Sequence, residues 1–190
     1  MPLENSLPFP TDVKFLYIPI DIRDTEAINP LKCEQPLTLR VDSLISKLAH
    51  SYRHDTNLLI VSVPGAWTPM CGEHHIPPFL LNLEKLKHLH VGAIVIIGTN
   101  DPFVMSGWGK TLVKEYVESG TDIFAMPRLF FANDVGFSKE HGLTVEVGGF
   151  LRNKRYAMLI DCKDRRIKYF GVETERKIDK SGLDAVLARL

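Results

Sequence analysis

Apolar positions change their period repeatedly along the chain, and each change predicts an element. Asn57-Leu-Leu-Ile-Val-Ser-Val63 and Val91–Thr99 are nearly continuous apolar runs, the pattern of strands covered on both faces of a sheet. Arg128–Ala132 is a third such run, and Val13–Ile20 has strand composition with Pro19 at an edge or strand end. Elsewhere the period lengthens to helical. Asp42–His50 opens on a capping-type residue and sets Leu44, Ile45 and Leu48 on one face. Leu80, Leu83, Leu86 and Leu89 continue a helix that follows Cys71 and runs to about His90, with a kink expected at Pro77 and Pro78. Asp101-Pro102 supplies an N-cap and a first-position proline for a helix to Tyr116 or Val117. A short helix over Val135–His141 should stop at Gly142. Tyr156–Ile160 and Arg166–Phe170 then flank Asp161–Arg165 as a hairpin, and a last helix begins at Ser181. Residues 21–36 are polar, hold Pro30 and Pro36, and read as an exposed loop. Strands alternating with helices predict a single α/β domain over residues 1–190, a central mixed sheet flanked by helices.

Composition removes several function classes. Lys+Arg and Asp+Glu are both 23, so the net charge is zero and no basic footprint for nucleic acid exists. The longest apolar run, Val91–Ile97, is strand-sized, so no membrane span is expected. The start, Met-Pro-Leu-Glu-Asn-Ser, has neither basic head nor apolar core, which argues against secretion. Three scattered cysteines, Cys33, Cys71 and Cys162, make no secreted disulfide framework; a reducing, cytoplasmic compartment fits better. Ala188-Arg189-Leu190 is a variant of the small-basic-Leu tripeptide read by the peroxisomal import receptor, which makes the peroxisome the second expected location.

One stretch carries candidate chemistry. Val63-Pro-Gly-Ala-Trp-Thr-Pro-Met-Cys71 joins the strand ending at Val63 to the helix after it. The unpaired N–H groups and partial positive charge of a helix start favour a thiolate at Cys71. Thr68 can aim its hydroxyl at the sulfur or at what the sulfur attacks, or it can cap the helix. Pro64 and Pro69 lack N–H donors and stiffen the loop. His74 and His75 near Cys71 raise the question of a metal. No Cys-x-x-Cys or second ligand pair completes a zinc site, so His75 is expected to pack near the thiol, with no metal bound. Trp67, Phe103 and Trp108 are candidates for a dimer surface, or for core and pocket wall.

The pattern Pro64-x-x-x-Thr68-x-x-Cys71 resembles the active-site motif of the peroxiredoxins. Cys71-x-x-x-His75-Ile76-Pro77, Asn100-Asp-Pro-Phe103 and Arg155-Tyr-Ala-Met158 resemble the type-five subfamily, especially its fungal alkyl-hydroperoxide-reductase branch. The resemblance runs from about Val13 to the C-terminus. It departs at Pro78, where a small residue is usual, and at Trp67, where phenylalanine is common. It implies a thioredoxin-like fold with an N-terminal extension. It also implies a peroxidase acting on hydrogen peroxide and alkyl hydroperoxides, with no cofactor, in which Cys71 is the peroxidatic nucleophile. Thr68 would hydrogen-bond the thiolate or peroxide, Pro64 would wall the pocket, and Arg155 would bring its guanidinium to Cys71, with Arg152 and Lys154 close by. The fungal branch carries a resolving cysteine in its N-terminal loop, which implies Cys33 rather than Cys162. Animal members place theirs between the last strand and last helix, and residues 171–181 contain none. A Cys33–Cys71 disulfide, within one chain or between the subunits of a homodimer, and thioredoxin as reductant complete the implied cycle. A general thiol–disulfide oxidoreductase would be expected to carry Cys-x-x-Cys, which is absent. A peroxide sensor or holdase using the same cysteine is the alternative reading.

Overall fold

Among the described residues seven strands form the central sheet, and its two faces sort the core. The chain is described from a computed structural model over residues 3–25, 28–52 and 54–190; residues 26 and 27 of the expected 21–36 loop lie outside the described residues. In chain order the elements are β1 (Lys14–Tyr17), β2 (Leu37–Arg40), α1 (Val41–Ala49), β3 (Asn57–Ser62), a π-turn (Met70–His75), α2 (Pro77–Leu80), α3 (Leu83–His88), β4 (Val91–Gly98) and α4 (Pro102–Tyr116). A 3₁₀ turn (Ile123–Ala125) leads to β5 (Arg128–Asn133), α5 (Phe137–Glu140), β6 (Thr144–Val147), β7 (Phe150–Asn153), β8 (Tyr156–Asp161), β9 (Arg166–Val172) and α6 (Leu183–Leu187). The sheet order is β2-β1-β5-β4-β3-β8-β9. β3, β4 and β5 run parallel, while β1 and β8 lie antiparallel to β5 and β3, so the sheet is mixed as expected.

Period-two alternation divides the strands between two cores. Leu59 and Val61 of β3 join Ile94 and Ile96 of β4 on the face covered by α2, α3, α4 and α6. Leu58 and Ile60 point the other way, with Ala93 and Val95, toward α1 and α5. Central strands buried on both faces are therefore apolar throughout. Asp101 caps α4 by accepting from the Phe103 and Val104 amides at 2.9 and 3.0 Å.

Two expectations change. The helix after Cys71 is three pieces rather than one kinked helix. Pro77 and Pro78 have no N–H to return to the preceding turn, and the Ile76 amide bonds the Cys71 carbonyl five residues back at 3.2 Å, which widens residues 70–75 into a π-turn. The chain also forms strands where none is expected. β2 is an edge strand on β1, and β6–β7 is a separate two-stranded hairpin turned by Gly148 and Gly149 at φ +59° and +79°.

Candidate active site

Cys71 lies in the wide turn beyond the carboxyl end of β3 and is completely buried. Its amide and that of Gly72 both donate to the Thr68 carbonyl, at 3.1 and 3.0 Å, so these two N–H groups of the turn are already spent. The six-residue turn is too short for a large dipole, and the cation that reaches the sulfur comes from elsewhere. Arg155, the residue before β8, is 8% exposed and donates from Nη2 to Cys71 Sγ at 3.4 Å. Arg155 thus sets a fixed positive charge against a buried sulfur.

The other donor of Arg155 finds a partner that sequence reasoning placed nearby without giving it a task. Nη1 donates to His75 Nδ1 at 2.8 Å, and His75 Nε2 donates to the Ser181 carbonyl at 3.0 Å. A carbonyl only accepts, so the proton sits on Nε2 and Nδ1 is free to receive the guanidinium. Burial first, and then the Arg155 charge, hold the His75 ring down to about 3, so it is neutral at physiological pH. His75 thus anchors the cation that contacts sulfur. The signal in the chain was its four-residue spacing from Cys71, but the partners are 80 and 106 positions away.

Thr68 does not point its proton at the sulfur. Its Oγ1 donates to the Gly65 carbonyl at 2.9 Å, which leaves the hydroxyl's lone pairs as an acceptor beside the thiol loop. Pro64 accepts from Arg152 Nη1 at 3.3 Å, and a Cβ on Gly65 would fall 2.5 Å from that nitrogen, so the loop and Arg152 are in close approach. Asn100, of the segment expected after β4, accepts from the Ala66 amide at 2.8 Å, and Asn133 holds the Asn100 carbonyl at 2.9 Å. The residue these bonds restrain is Trp67, at φ +60° and 61% exposed, a left-handed backbone that a bulky side chain rarely adopts.

Arg155 is fixed through its backbone as well. Lys154 N donates to the Leu143 carbonyl at 2.7 Å, and Ser62 Oγ donates to the Lys154 carbonyl at 3.1 Å. Next to it, Asn153 donates to the buried Asp134 carboxylate, and Tyr156 bonds Ser138 at 2.8 Å. A groove of about 690 Å³ opens over Pro64, Thr68 and Arg155, and continues along Met70, Val145 and Val147. Its walls combine these apolar side chains with Arg152 and Arg176.

The remaining cysteines separate cleanly. Cys33 is exposed, in a loop whose Lys32 carbonyl accepts from Lys110 of α4 and whose Pro30 carbonyl lies 3.3 Å from a Cβ built on Gly107. Cys162 is buried in the core on the opposite sheet face from Cys71. It sits beside Thr56 at the start of β3, so the length of that strand, about 20 Å, separates it from the thiol loop. Burial and the Asp161 charge push its thiol up to about 12. All three cysteines are free. Of the aromatic candidates, Trp108 is core, edge-on to Phe131 at 5.8 Å, while Trp67 in the loop after β3 and Phe103 in the first turn of α4 are exposed. His74 is exposed, and among the described residues no cluster of three His, Cys, Asp or Glu side chains could hold a metal ion.

Residues 42–187 match the family model described as Redoxin. The chain is 37% identical, over 96% of its length and 98% of the relative's, to a putative peroxisomal peroxiredoxin of Lipomyces kononenkoae. The chain belongs to the peroxiredoxin family. Peroxiredoxin AHP1 of Chaetomium thermophilum is 33% identical over 100% of this chain and 95% of its own. The fold is shared with peroxiredoxin 5 from Alvinella pompejana, at a TM-score of 0.66 with 24% identity over 99% and 97% of the two chains. This peroxiredoxin is of the AHP1, type-five kind, with the thioredoxin-like fold of the family.

Proposed function

We propose that this peroxiredoxin is a thiol peroxidase in which Cys71 attacks the O–O bond of a hydroperoxide. The thiolate takes one oxygen and becomes sulfenic acid, and the other oxygen leaves with a proton as water or an alcohol. The observation that carries the reading is the 3.4 Å approach to the buried Cys71 sulfur of the Arg155 guanidinium, a residue that with Thr68 and Met70 lines the open groove. Arg155 stabilises negative charge first on sulfur and then on the departing oxygen. Thr68, with its proton committed to Gly65, accepts the O–H of the incoming peroxide and turns its O–O axis toward Sγ. Pro64 walls the pocket. The apolar stretch along Met70, Val145 and Val147 favours alkyl hydroperoxides beside hydrogen peroxide.

Cys33 then attacks the sulfenic sulfur, forming a disulfide and releasing water, and a thioredoxin dithiol reduces that disulfide while itself becoming oxidised. Two observations support Cys33 over Cys162: its exposure, and the burial of Cys162 on the far face with a thiol that resists ionisation. Because Cys71 is fully buried, its turn has to open for the disulfide to form. Exposed Trp67 and Phe103 support a homodimer interface beside the site, in which the disulfide joins two chains. The cytoplasm is the proposed location, with the peroxisome as a second one supported by the similarity to the putative peroxisomal peroxiredoxin of Lipomyces kononenkoae.

The test is non-reducing peptide mass spectrometry after one equivalent of peroxide, followed by thioredoxin-coupled turnover. A Cys33–Cys71 peptide from chains of twice the monomer mass, and turnover lost in both C71S and C33S, is the expected result. A Cys71–Cys162 peptide overturns the resolving role of Cys33. Oxidation without turnover would favour the sensor or holdase.

A further inference from the structure

Glu173 follows β9 and is 8% exposed, an unusual place for a carboxylate that forms no ion pair among the described residues. Oxygen Oε1 collects three donors: the Lys180 amide at 2.6 Å, the Ser181 amide at 2.7 Å and Ser181 Oγ at 2.9 Å. The backbone of Glu173 meanwhile donates to the Arg155 carbonyl at 2.9 Å. One residue therefore grips both the strand start that carries Arg155 and the loop end that carries the Ser181 carbonyl. That carbonyl fixes the His75 ring, the ring fixes Arg155 Nη1, and Nη2 of the same guanidinium meets sulfur. Ser181 and His75 are fully buried.

We propose that Glu173 is a positioning residue for the peroxidatic thiol, which sets the orientation of Arg155 against Cys71 through Ser181 and His75. The inference rests on the peroxidase reading given above. Arg155 has two requirements at once, a sulfur on one nitrogen and an imidazole on the other. A ring free to rotate would satisfy neither reliably. The Ser181 carbonyl selects the tautomer with the proton on Nε2, and Glu173 holds that carbonyl in place by accepting from the consecutive amides of Lys180 and Ser181. A full negative charge suits an oxygen that must accept three bonds. With Glu173 gone, residues 174–180 loosen, His75 loses its anchor, and the guanidinium spends less time at the sulfur.

The sign of the effect separates positioning from simple electrostatics. Removing a nearby negative charge would by Coulomb's law favour the thiolate, whereas losing the Arg155 contact disfavours it. Arg155 contacts Cys71 and carries His75 on its other nitrogen; Arg152, Lys154, Glu175 and Arg176 line the same groove as Arg155 and Glu173, and Tyr169 and the Lys180 backbone face Glu173. His75, held down to about 3, does not titrate between pH 6 and 8.5, so a change in profile over that range is not its own titration.

The experiment measures the second-order rate of hydrogen peroxide reduction at pH 6 and pH 8.5, together with iodoacetamide alkylation of Cys71 followed by peptide mass. Alkylation needs no peroxidase activity, so it tests positioning even if the peroxidase reading fails. For Glu173→Ala the expected loss is about tenfold at pH 6, shrinking to about twofold at pH 8.5. The pH 6 to pH 8.5 alkylation ratio should fall in parallel. Glu173→Gln keeps an acceptor in place and should stay within about twofold of the parent at both pH values. Glu173→Asp keeps the charge but withdraws the acceptor by one methylene. It should behave like Glu173→Ala, and it replaces that variant if the alanine chain does not fold. Losses equal at both pH values, or a gain at pH 6, would overturn the proposal.

Discussion

His75 illustrates how far one buried side chain can be read from its partners alone. Its ring is neutral because burial excludes the charge and because a guanidinium already occupies its acceptor nitrogen. The consequence for stability has a definite sign. The unfolded chain binds a proton at this residue from about pH 6.5 downward, whereas the folded ring does so only near 3, so folding becomes less favourable as pH falls through that window. The contribution is fully present above pH 6.5 and is lost toward pH 3, a change of about 4 kcal/mol if no other group compensates. Urea unfolding between pH 7 and pH 4 should therefore show a falling midpoint that is much flatter in His75→Gln. Equal slopes in the two proteins would contradict the assignment. Residue by residue, the chemistry was legible where neighbours in the chain carry it: Cys71, Thr68 and Pro64 fall within eight positions. The arm from Arg155 through His75 to Ser181 was not, because its two bonds span 80 and 106 positions and end on a backbone carbonyl that no side-chain pattern encodes.

Elements whose two faces are buried announced themselves, and those with none did not. β3 and β4 are uniformly apolar, and α4 begins at a proline behind a capping aspartate, so their placement follows directly from the letters. β6 and β7 bury no apolar face; Val145, Val147, Phe150 and Leu151 all stay exposed, so no apolar period marks the hairpin. That unheralded hairpin lines the groove over Thr68 and Arg155, so the substrate wall was the least legible part of the site. The packing of α4 on β5 is tight enough to be tested by one methyl group. A Cβ at Gly109 would fall 2.4 Å from the fully buried Phe131 ring. Gly109→Ala should therefore lower stability by about 1–3 kcal/mol despite its better helix propensity, read as a lower urea midpoint at unchanged slope. A more stable variant would show that the helix can lift without cost.

At the level of the whole molecule, the sheet separates two cysteine environments and so divides their chemistry. Cys71 and the Cys33 loop belong with α4 on one face, and Cys162 belongs to the core on the other, where burial and the Asp161 charge push its thiol up. The parallel strands β3 and β4 deliver the Cys71 loop and Asn100 from their carboxyl ends, and antiparallel β8 brings Arg155 back to the same edge, since Ser62 pairs with Tyr156. The mixed topology is thus what sets a cation beside the thiol. The most direct measurement is the stopped-flow rate of a single peroxide turnover, followed by the fluorescence of exposed Trp67 beside the thiol loop. The account predicts a reaction at least about 10³-fold faster than a free cysteine at the same pH, lost in C71S and slowed about 10²-fold in Arg155→Met. A parent rate equal to that of a free thiol, or one unchanged by Arg155→Met, would contradict it.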